Sequence, residues 1–424
     1  MLLRFSVTNH LSMRDQQVFS LTASSLKDVE KGLIECDAAP DRRVLPAAVI
    51  YGANASGKSN FVAALGHMRA RVLYSHSKGE PGAGVPRSPF ALDAACAEAP
   101  SIFDVDFVVD RVRYHYGFEA SDEAFTREWL YNFPSNRRQV LFEREGESYK
   151  FGRALRGRNR IIADLTRTNS LFISTAAQND HEQLSKVVRF FQSMSTDSQI
   201  SIPGKAISLH LAKGEVDSRI INFLREIGTG VIEYRRVEEK RSEKLQEMER
   251  EFVAFFQKFM PDPGLETWFD EHRGDIQLAH QGRDGSSVFF DLDRESAGTR
   301  RLLMLLVRVF FALDEGATLL VDELDASLHT QACEAVLTLF CSAKANPLGA
   351  QIIATTHDTN LLRSPVLRRD QIWFTEKDAE GATHLYPLTD IRTRKGDNVE
   401  RGYLQGRYGA IPFSGRIPNL AVAD

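Results

Sequence analysis

Cysteine is scarce in this sequence, with four residues in a chain of 424. None of the four stands in a CxxC pair, and none lies at metal-ligand spacing from a histidine. The scarcity excludes a disulfide framework and the usual cysteine-based zinc sites. A reducing, cytoplasmic environment fits this usage best.

Long hydrophobic runs are also missing. The most apolar stretch, residues 302–313, is much shorter than a bilayer span and contains Arg308. The first nine residues alternate like a strand and lack the apolar run of a signal peptide. We therefore expect no membrane contact and interpret residues 302–313 as part of a buried helix.

The chain has no excess of positive charge. Its 53 basic and 57 acidic side chains give a formal net charge of −4 and a pI near 6.3. This balance excludes a protein that coats nucleic acid by bulk charge, although a local basic patch could still bind it. Apolar residues at 43% and charged residues at 26% describe a soluble globular protein.

Hydrophobic periodicity changes along the chain. Alternation predicts a β-rich beginning with strands at 3–9, 16–22, 102–109, 113–119 and within 139–151, and an α/β pattern after residue 288. Between them the period is helical, clearest at Leu245, Met248, Phe252, Phe255, Phe256 and Phe259. The charged run 238–251 resembles the root of a coiled coil, but no heptad repeat continues on either side, which argues against long arms.

The strongest motif is GANASGKS at residues 52–59, which lies between a buried strand and a helix. It fits the phosphate-binding loop pattern, in which glycines let backbone amides surround phosphates at a helix N-terminus. Lys58 would reach the β- and γ-phosphate oxygens, and Ser59 would bind Mg²⁺. A glycine turn without a ligand rarely satisfies both the spacing and the context.

Two acids end the apolar strand 318–321. Asp322 would hold hydrated Mg²⁺, and Glu323 would orient and deprotonate an attacking water. Alone, the pair could equally be a solvated turn, and the phosphate-binding loop is what favours function. Asp325 continues the same loop and would approach a second subunit.

Two further motifs complete the set. His357 follows the next buried strand, where it could sense a γ-phosphate or could simply be a hydrogen-bonded strand end. Ser296 and Gly298, in ESAGT at 295–299, precede a long helix and could form a second anion site filled by a partner's γ-phosphate. The alternative there is a plain helix N-cap.

The ordered motifs GANASGKS, ESAGT, LLVDELDASLH and ATTH resemble the ABC ATPases, specifically their soluble SMC-like and OLD-like branch. The opening 24 residues and the segment GYLQGRYGAIP resemble the stand-alone bacterial ATPases typified by RloA and AbiL, which are typically encoded beside a RloB-type TOPRIM protein. The resemblance implies an α/β fold: an ABC-type P-loop head, with a β-rich N-terminal part and a largely parallel core sheet, plus an inserted helical lobe. The implied divisions are residues 1–175, 176–287, 288–390 and a tail at 391–424.

The resemblance also implies roles and partners. Two chains would sandwich ATP and Mg²⁺ in a homodimer or higher oligomer, with Ser296, Gly298 and Asp325 acting across the interface. A separate effector from a neighbouring gene, such as a RloB-like TOPRIM nuclease or another toxin, would complete an anti-phage system. The implied ATP contacts in the loop are Gly52, Asn54, Ser56, Gly57, Lys58, Ser59 and Asn60; the catalytic residues are Lys58, Glu323 and His357; the metal ligands are Ser59, Asp322 and Gln178.

Several features leave alternatives open. The signature reads SAGT rather than the SGGQ of transporters, and Gln178 could be an ordinary polar residue. Asp291 and Asp293 fit DxD, but they are more typical of a strand end than of a nuclease's two-metal site. A DNA-repair or chromosome-maintenance ATPase is the second hypothesis, with contact to nucleic acid from arginines at 137, 138, 153, 156, 158, 160 and 167 or from the tail (Arg392, Arg394, Lys395, Tyr403, Arg407, Tyr408).

Overall fold

The computed structural model describes residues 1–26, 28, 32–197, 216–237, 275–393 and 396–410, which fall into two compact units. The first unit draws on Met1–Ser198, Phe311–Asp325 and Cys333–Asp424, and the second on Gln199–Phe310 and Ala326–Ala332. The helical pattern predicted at 245–259, the charged run at 238–251, and residues Arg394 and Lys395 lie outside the described residues.

A six-stranded sheet forms the centre of the first unit, in the order β11-β15-β16-β5-β17-β18. All neighbours pair in parallel except β17 and β18. The three strands in its middle are buried along their whole length, as expected for a parallel sheet covered on both faces. The strands are β5 (Ala47–Gly52), β11 (Ser195–Asp197), β15 (Thr318–Val321), β16 (Gln351–Thr355), β17 (Ile372–Lys377) and β18 (Thr383–Pro387).

A seven-stranded antiparallel sheet is the β-rich part of the same unit, in the order β10-β9-β8-β7-β6-β1-β2. The two strands predicted at 3–9 and 16–22 pair as a hairpin, in which Phe5 lies opposite Phe19. The strands are β1 (Leu2–Thr8), β2 (Gln17–Ser20), β6 (Ser101–Val109), β7 (Val112–Ala120), β8 (Phe125–Asn132), β9 (Gln139–Glu145) and β10 (Ser148–Phe151). β8 was not predicted from the sequence.

Helix α1 (Lys58–Tyr74) belongs to the main core of the first unit, together with residues of both sheets. Phe61 contacts Phe5 and Phe19 in this core, so the helix packs on the opening hairpin. The first unit also contains α2 (Ala95–Glu98), α3 (Asn159–Leu165), α4 (Phe172–Gln178), α5 (Glu182–Ser193), α9 (Val399–Leu404) and the short strands β3 (Ile34–Glu35) and β4 (Arg43–Val44).

The second unit mixes helix and sheet in its described residues. Helix α6 (Ser218–Glu226) is followed by an antiparallel sheet of β12 (Val231–Val237), β13 (Asp275–Gln281) and β14 (Ser287–Asp291). The predicted helical period did not indicate β12 or β13, whereas β14 ends at Asp291, in agreement with the strand end expected at Asp291 and Asp293. β12 and β13 mix polar and apolar residues, and cross-strand pairing outweighs their weak local pattern.

The two remaining helices draw residues from both units. Helix α7 (Ala297–Glu315) contains the apolar run predicted to be a buried helix, and α8 (Thr330–Phe340) lies between β15 and β16 in the sequence. No helix in the described parts of the chain is long and apolar enough to cross a membrane.

Candidate nucleotide-binding site

The loop between β5 and α1 has the backbone of a phosphate-binding loop. Gly57, just before α1, adopts φ +108°, and a Cβ there would lie 2.2 Å from Thr383 Oγ1. At Gly52 a Cβ would lie 2.4 Å from both Ser56 Oγ and Thr375 Oγ1. Gly57 is therefore required both for its backbone conformation and for its close packing, and Gly52 is required for its close packing.

Lys58 is only 5% exposed and folds back over this loop. Its Nζ donates to the carbonyl oxygens of Gly52 at 2.9 Å and Ala53 at 3.0 Å. Burial lowers the pKa of Lys58, while the charges of Glu323, Asp322 and Asp325 oppose that shift. The ammonium group is thus poised beside the loop, where phosphate oxygens could replace the carbonyl oxygens as its acceptors.

Asp322 and Ser59 meet although 263 residues separate them in the chain. Ser59 Oγ donates to Asp322 Oδ1 at 3.1 Å. The contact arises because β5 and β15 are parallel strands separated by β16 alone, so their carboxyl ends reach the same edge of the sheet. A hydroxyl and a carboxylate oxygen are the donor types that Mg²⁺ accepts from proteins when phosphates supply other ligands, so this pair fits that ion.

Thr355 ends the intervening strand β16 and joins the two acids. Its Oγ1 donates to Asp322 Oδ1 at 2.7 Å and accepts the backbone N–H of Glu323 at 2.7 Å. Glu323 has φ +52°, an unusual conformation for a non-glycine residue. The Thr355 hydroxyl therefore fixes both the carboxylate of Asp322 and the backbone from which the Glu323 side chain extends.

Asp325 and His357 lie together on the adjacent loops. Asp325 Oδ1 accepts from Thr356 Oγ1 at 2.7 Å and from the His357 backbone N–H at 3.1 Å. The His357 side chain is exposed. These contacts tie the His357 loop to the Asp325 loop within one chain, and the predicted role of Asp325 across an interface stays a prediction.

A second set of hydroxyl and amide groups supports the loop from the opposite side. Thr383 Oγ1 lies 2.8 Å from the Ser56 carbonyl oxygen and 2.8 Å from Ser12 Oγ, and Asn60 Nδ2 donates to Ser12 Oγ at 2.7 Å. Ser56 Oγ lies 2.7 Å from Thr375 Oγ1. Ser12, Thr375 and Thr383 were not predicted, because no local motif marks a residue whose partner lies hundreds of positions away.

The remaining predicted residues stand apart from these contacts. Ser296 is exposed, and its Oγ accepts the Thr299 N–H at 3.0 Å, which is the geometry of a helix N-cap. A Cβ on Gly298 would lie 2.6 Å from the Ser327 carbonyl oxygen. Asn54 is exposed on the loop, and Gln178 is exposed at the end of α4 with no hydrogen bond to Ser59 or Asp322. The ligand roles of these residues stay predictions.

A protein-family model described as "AAA domain, putative AbiEii toxin, Type IV TA system" matches residues 47–363. The matched region begins at the first residue of β5 and includes the phosphate-binding loop, both acids and His357. The chain belongs to this AAA-domain family. Its P-loop ATPase fold of mixed α/β type is the predicted fold class, which is confirmed.

The AAA-domain chain is also similar to solved structures of SMC heads. The SMC head domain from Thermotoga maritima is 12% identical, with a TM-score of 0.40, and the match covers 91% of this chain and 98% of that one. An SMC head bound to the C-terminal winged-helix domain of ScpA is 13% identical, with a TM-score of 0.39, and the match covers 91% of this chain and 96% of that one. A comparison with curated proteins gives no match. The family match, rather than these superpositions, identifies the chain.

Proposed function

We propose that this protein binds and hydrolyses ATP in a dimer of heads and acts as the nucleotide-driven switch of a bacterial anti-phage system. The observation that carries the proposal is the Ser59 to Asp322 contact beside the buried Lys58. The two neighbouring acids and the glycine loop lie at one edge of the sheet. This arrangement suits the binding of a nucleotide together with its metal ion.

Each residue of the candidate site has its own proposed role in ATP binding or hydrolysis. Backbone amides of the loop and Lys58 would hold the phosphates, and Ser59 and Asp322 would hold Mg²⁺, which supplies charge neutralisation at the β- and γ-oxygens when bound. Glu323 would accept a proton from the attacking water. His357 would contact the γ-phosphate from the neighbouring loop.

The dimer is proposed because the signature serine occurs at the start of a different helix. Ser296 and the first-turn amides of α7 form an exposed N-terminus, which favours an anion. A γ-phosphate bound by one chain would fill this position on a second chain. ATP would then hold the two heads together, and hydrolysis would release them.

The family's description supports the proposed regulatory role. The family's description refers to a putative toxin of a toxin-antitoxin system, which supports a defence context. We propose that the effector is a separate protein from a neighbouring gene, such as a RloB-like TOPRIM nuclease or another toxin, and that the heads restrain or license it. The pI near 6.3 and the lack of a membrane-spanning helix in the described regions support a cytoplasmic location.

A second candidate function is a DNA-binding maintenance or repair ATPase. Arg153, Arg156, Arg158 and Arg160 are exposed, and none pairs with an acidic side chain among the described residues. An unpaired run of guanidinium groups suits a phosphate backbone. Under this hypothesis DNA, rather than a partner protein, would stimulate turnover.

The native mass of Glu323→Gln protein tests the main proposal. The protein would be purified from cells that also express the neighbouring genes, and its mass compared with and without ATP and Mg²⁺. We expect ATP to drive dimers or a larger complex that retains a second protein. Hydrolysis should slow by roughly 10²–10⁴-fold, because the substitution removes the general base but leaves the phosphate contacts.

Lys58→Ala is the matched control. It removes the ammonium group that contacts the loop, so we expect neither nucleotide binding nor ATP-dependent assembly. A Glu323→Gln protein that binds ATP yet stays monomeric and without a partner contradicts the dimeric switch and leaves a simpler P-loop NTPase.

A further inference from the structure

A cavity of 560 Å³ lies at the end of α1 opposite the phosphate-binding loop. Its walls are the last turn of α1, the loop that follows, and the turn containing Asn169, with Phe125 beside them. Arg71 is thirteen residues beyond Lys58 on one helix, which places it about 20 Å from the nucleotide site. The volume is in the range of pockets that bind small organic molecules.

Arg71 contributes a positive charge that its surroundings leave unbalanced. Its Nε is sealed from solvent and has no hydrogen-bond partner among the described residues. No acidic side chain in the described part of the chain pairs with its guanidinium group, and burial lowers its pKa. Arg71 is half-buried, and a guanidinium group partly removed from water without a counter-ion carries a cost that an anion in the cavity would offset.

Asn169 contributes an unsatisfied acceptor to the same cavity. The residue is 5% exposed, and its Nδ2 donates to the Glu80 carbonyl oxygen at 2.7 Å, which fixes the orientation of the amide. Its Oδ1 is buried and receives no hydrogen bond from any described residue. A ligand hydroxyl or amino group is the complement of such an acceptor.

The other lining side chains favour the same kind of ligand. Lys78 Nζ lies 4.3 Å from the centre of the Tyr74 ring, so a second cation stands over an exposed aromatic face. Of the described side chains that line the cavity, two are basic and one, Glu80, is acidic. The wall is held in place because Ser75 Oγ accepts the Leu171 N–H at 3.1 Å, and Ser170 Oγ donates to the Ser75 carbonyl oxygen at 3.2 Å.

We propose that this cavity binds a small organic anion, with a phosphate or carboxylate group against Arg71 and a hydroxyl or amino donor against the amide oxygen of Asn169. The inference does not depend on the proposed defence role, since it rests on side chains outside the nucleotide site. It adds a second ligand site to the helix whose first turn holds Lys58 and Ser59.

Isothermal titration calorimetry on the full chain tests the proposal, with ribose 5-phosphate, citrate and inorganic phosphate as probes at up to millimolar concentration. Binding of ribose 5-phosphate, at one molecule per chain, would identify the ligand as an organic phosphate; binding of citrate would identify it as a carboxylate. We expect Arg71→Gln to weaken the bound probe by about tenfold or more, because a charge-assisted hydrogen bond is lost. Asn169→Ala should weaken the organic probes and leave any binding of inorganic phosphate unchanged.

Lys58→Ala separates this cavity from the phosphate-binding loop, because binding at Arg71 should persist in that variant. Arg71→Lys keeps the cation and should retain most of the affinity, and an unchanged melting temperature would show that the variants fold. Loss of binding in Lys58→Ala but not in Arg71→Gln would place the probe in the nucleotide site and overturn the proposal. So would the absence of heat from all three probes, which would mean that water alone satisfies Arg71 and Asn169.

Discussion

Thr355 is the residue whose single hydroxyl organises both acids of the candidate site. One oxygen atom serves as donor to Asp322 and as acceptor for the Glu323 N–H. A non-glycine residue at positive φ is strained, and such a conformation persists only when its surroundings impose it. Thr355 therefore positions Glu323, the proposed general base, although it would not touch the nucleotide.

Replacing Thr355 with valine tests that positioning role. Valine keeps the shape but removes the hydroxyl, so Glu323 loses the acceptor for its N–H and Asp322 loses a donor. We expect ATP binding to persist while kcat falls by about 10- to 100-fold, since the loss of positioning raises the free energy of the transition state rather than that of bound ATP. Steady-state ATPase assays with separate kcat and KM values would measure this.

Thr355→Ser is the matched control, because it restores the hydroxyl. Its kcat should lie close to that of the unmodified protein. Equal turnover by the valine and serine variants would show that the hydroxyl has no part in positioning Glu323.

The packing of α1 on the antiparallel sheet encloses two histidines. His10 follows β1 and is 2% exposed, and its ring lies 4.8 Å from that of His67 on α1. His67 also stacks on Phe103 of β6, with ring centres 5.3 Å apart. Burial lowers the pKa of His10 to about 4 and that of His67 to about 3, the latter helped by the charges of His10 and Arg71.

These shifts predict that acid destabilises the fold. The unfolded chain gains protons on both imidazoles near pH 6.5, whereas the folded chain does not until about pH 4 and about pH 3. Proton uptake therefore favours the unfolded state as pH falls below 6.5. We expect the free energy of unfolding to fall by about 1 to 2 kcal/mol per pH unit between pH 6.5 and 5, measured by urea denaturation.

His67→Phe should reduce that slope by up to about 1.4 kcal/mol per pH unit, the contribution of one imidazole, because phenylalanine keeps the stacking on Phe103 but cannot bind a proton. His329→Gln, which removes an exposed imidazole, is the control, and His67→Phe should have the shallower slope of the two variants. A His67→Phe protein with an unchanged pH dependence would show that the buried pair does not govern it.

Charge is distributed unevenly over the whole molecule. The net charge is −4, yet residues 153–160 contain four exposed arginines and no acid. Two exposed arginines outside this run do have acidic neighbours: Arg127 pairs with Glu119 at 3.0 Å, and Arg138 lies 3.7 Å from Glu143. An unpaired cluster on an acidic protein is the feature that would let nucleic acid bind locally.

The DNA-binding alternative predicts a salt-dependent affinity that this cluster controls. Arg156→Gln with Arg158→Gln should reduce the magnitude of the slope of log affinity against log salt by about 2, because two phosphate contacts are lost. Arg127→Gln with Arg138→Gln removes two exposed arginines that already have partners and should leave the slope unchanged. Fluorescence anisotropy with duplex DNA would measure both, and equal slopes for the two double variants would remove the support for this alternative.

The sequence predicted the parts of the site that are written as contiguous motifs. GANASGKS was predictable because the glycine spacing, the preceding strand and the following helix are all local properties. The two acids after β15 and the histidine after β16 were predictable for the same reason. β8 was missed, as were β12 and β13, because sheet pairing and not local pattern decides strands of mixed polarity.

What the sequence by itself determined was therefore the chemistry: a buried strand that leads into a phosphate-binding loop, and acids at the end of another strand. Only the tertiary structure decided which of these residues meet. The parallel order β15-β16-β5 brings Ser59 within 3.1 Å of Asp322 and puts Thr355 between the two acids. Likewise Thr383 reaches the loop, and Arg71 shares a cavity with Asn169, because contacts between distant segments depend on strand order and packing rather than on spacing along the chain.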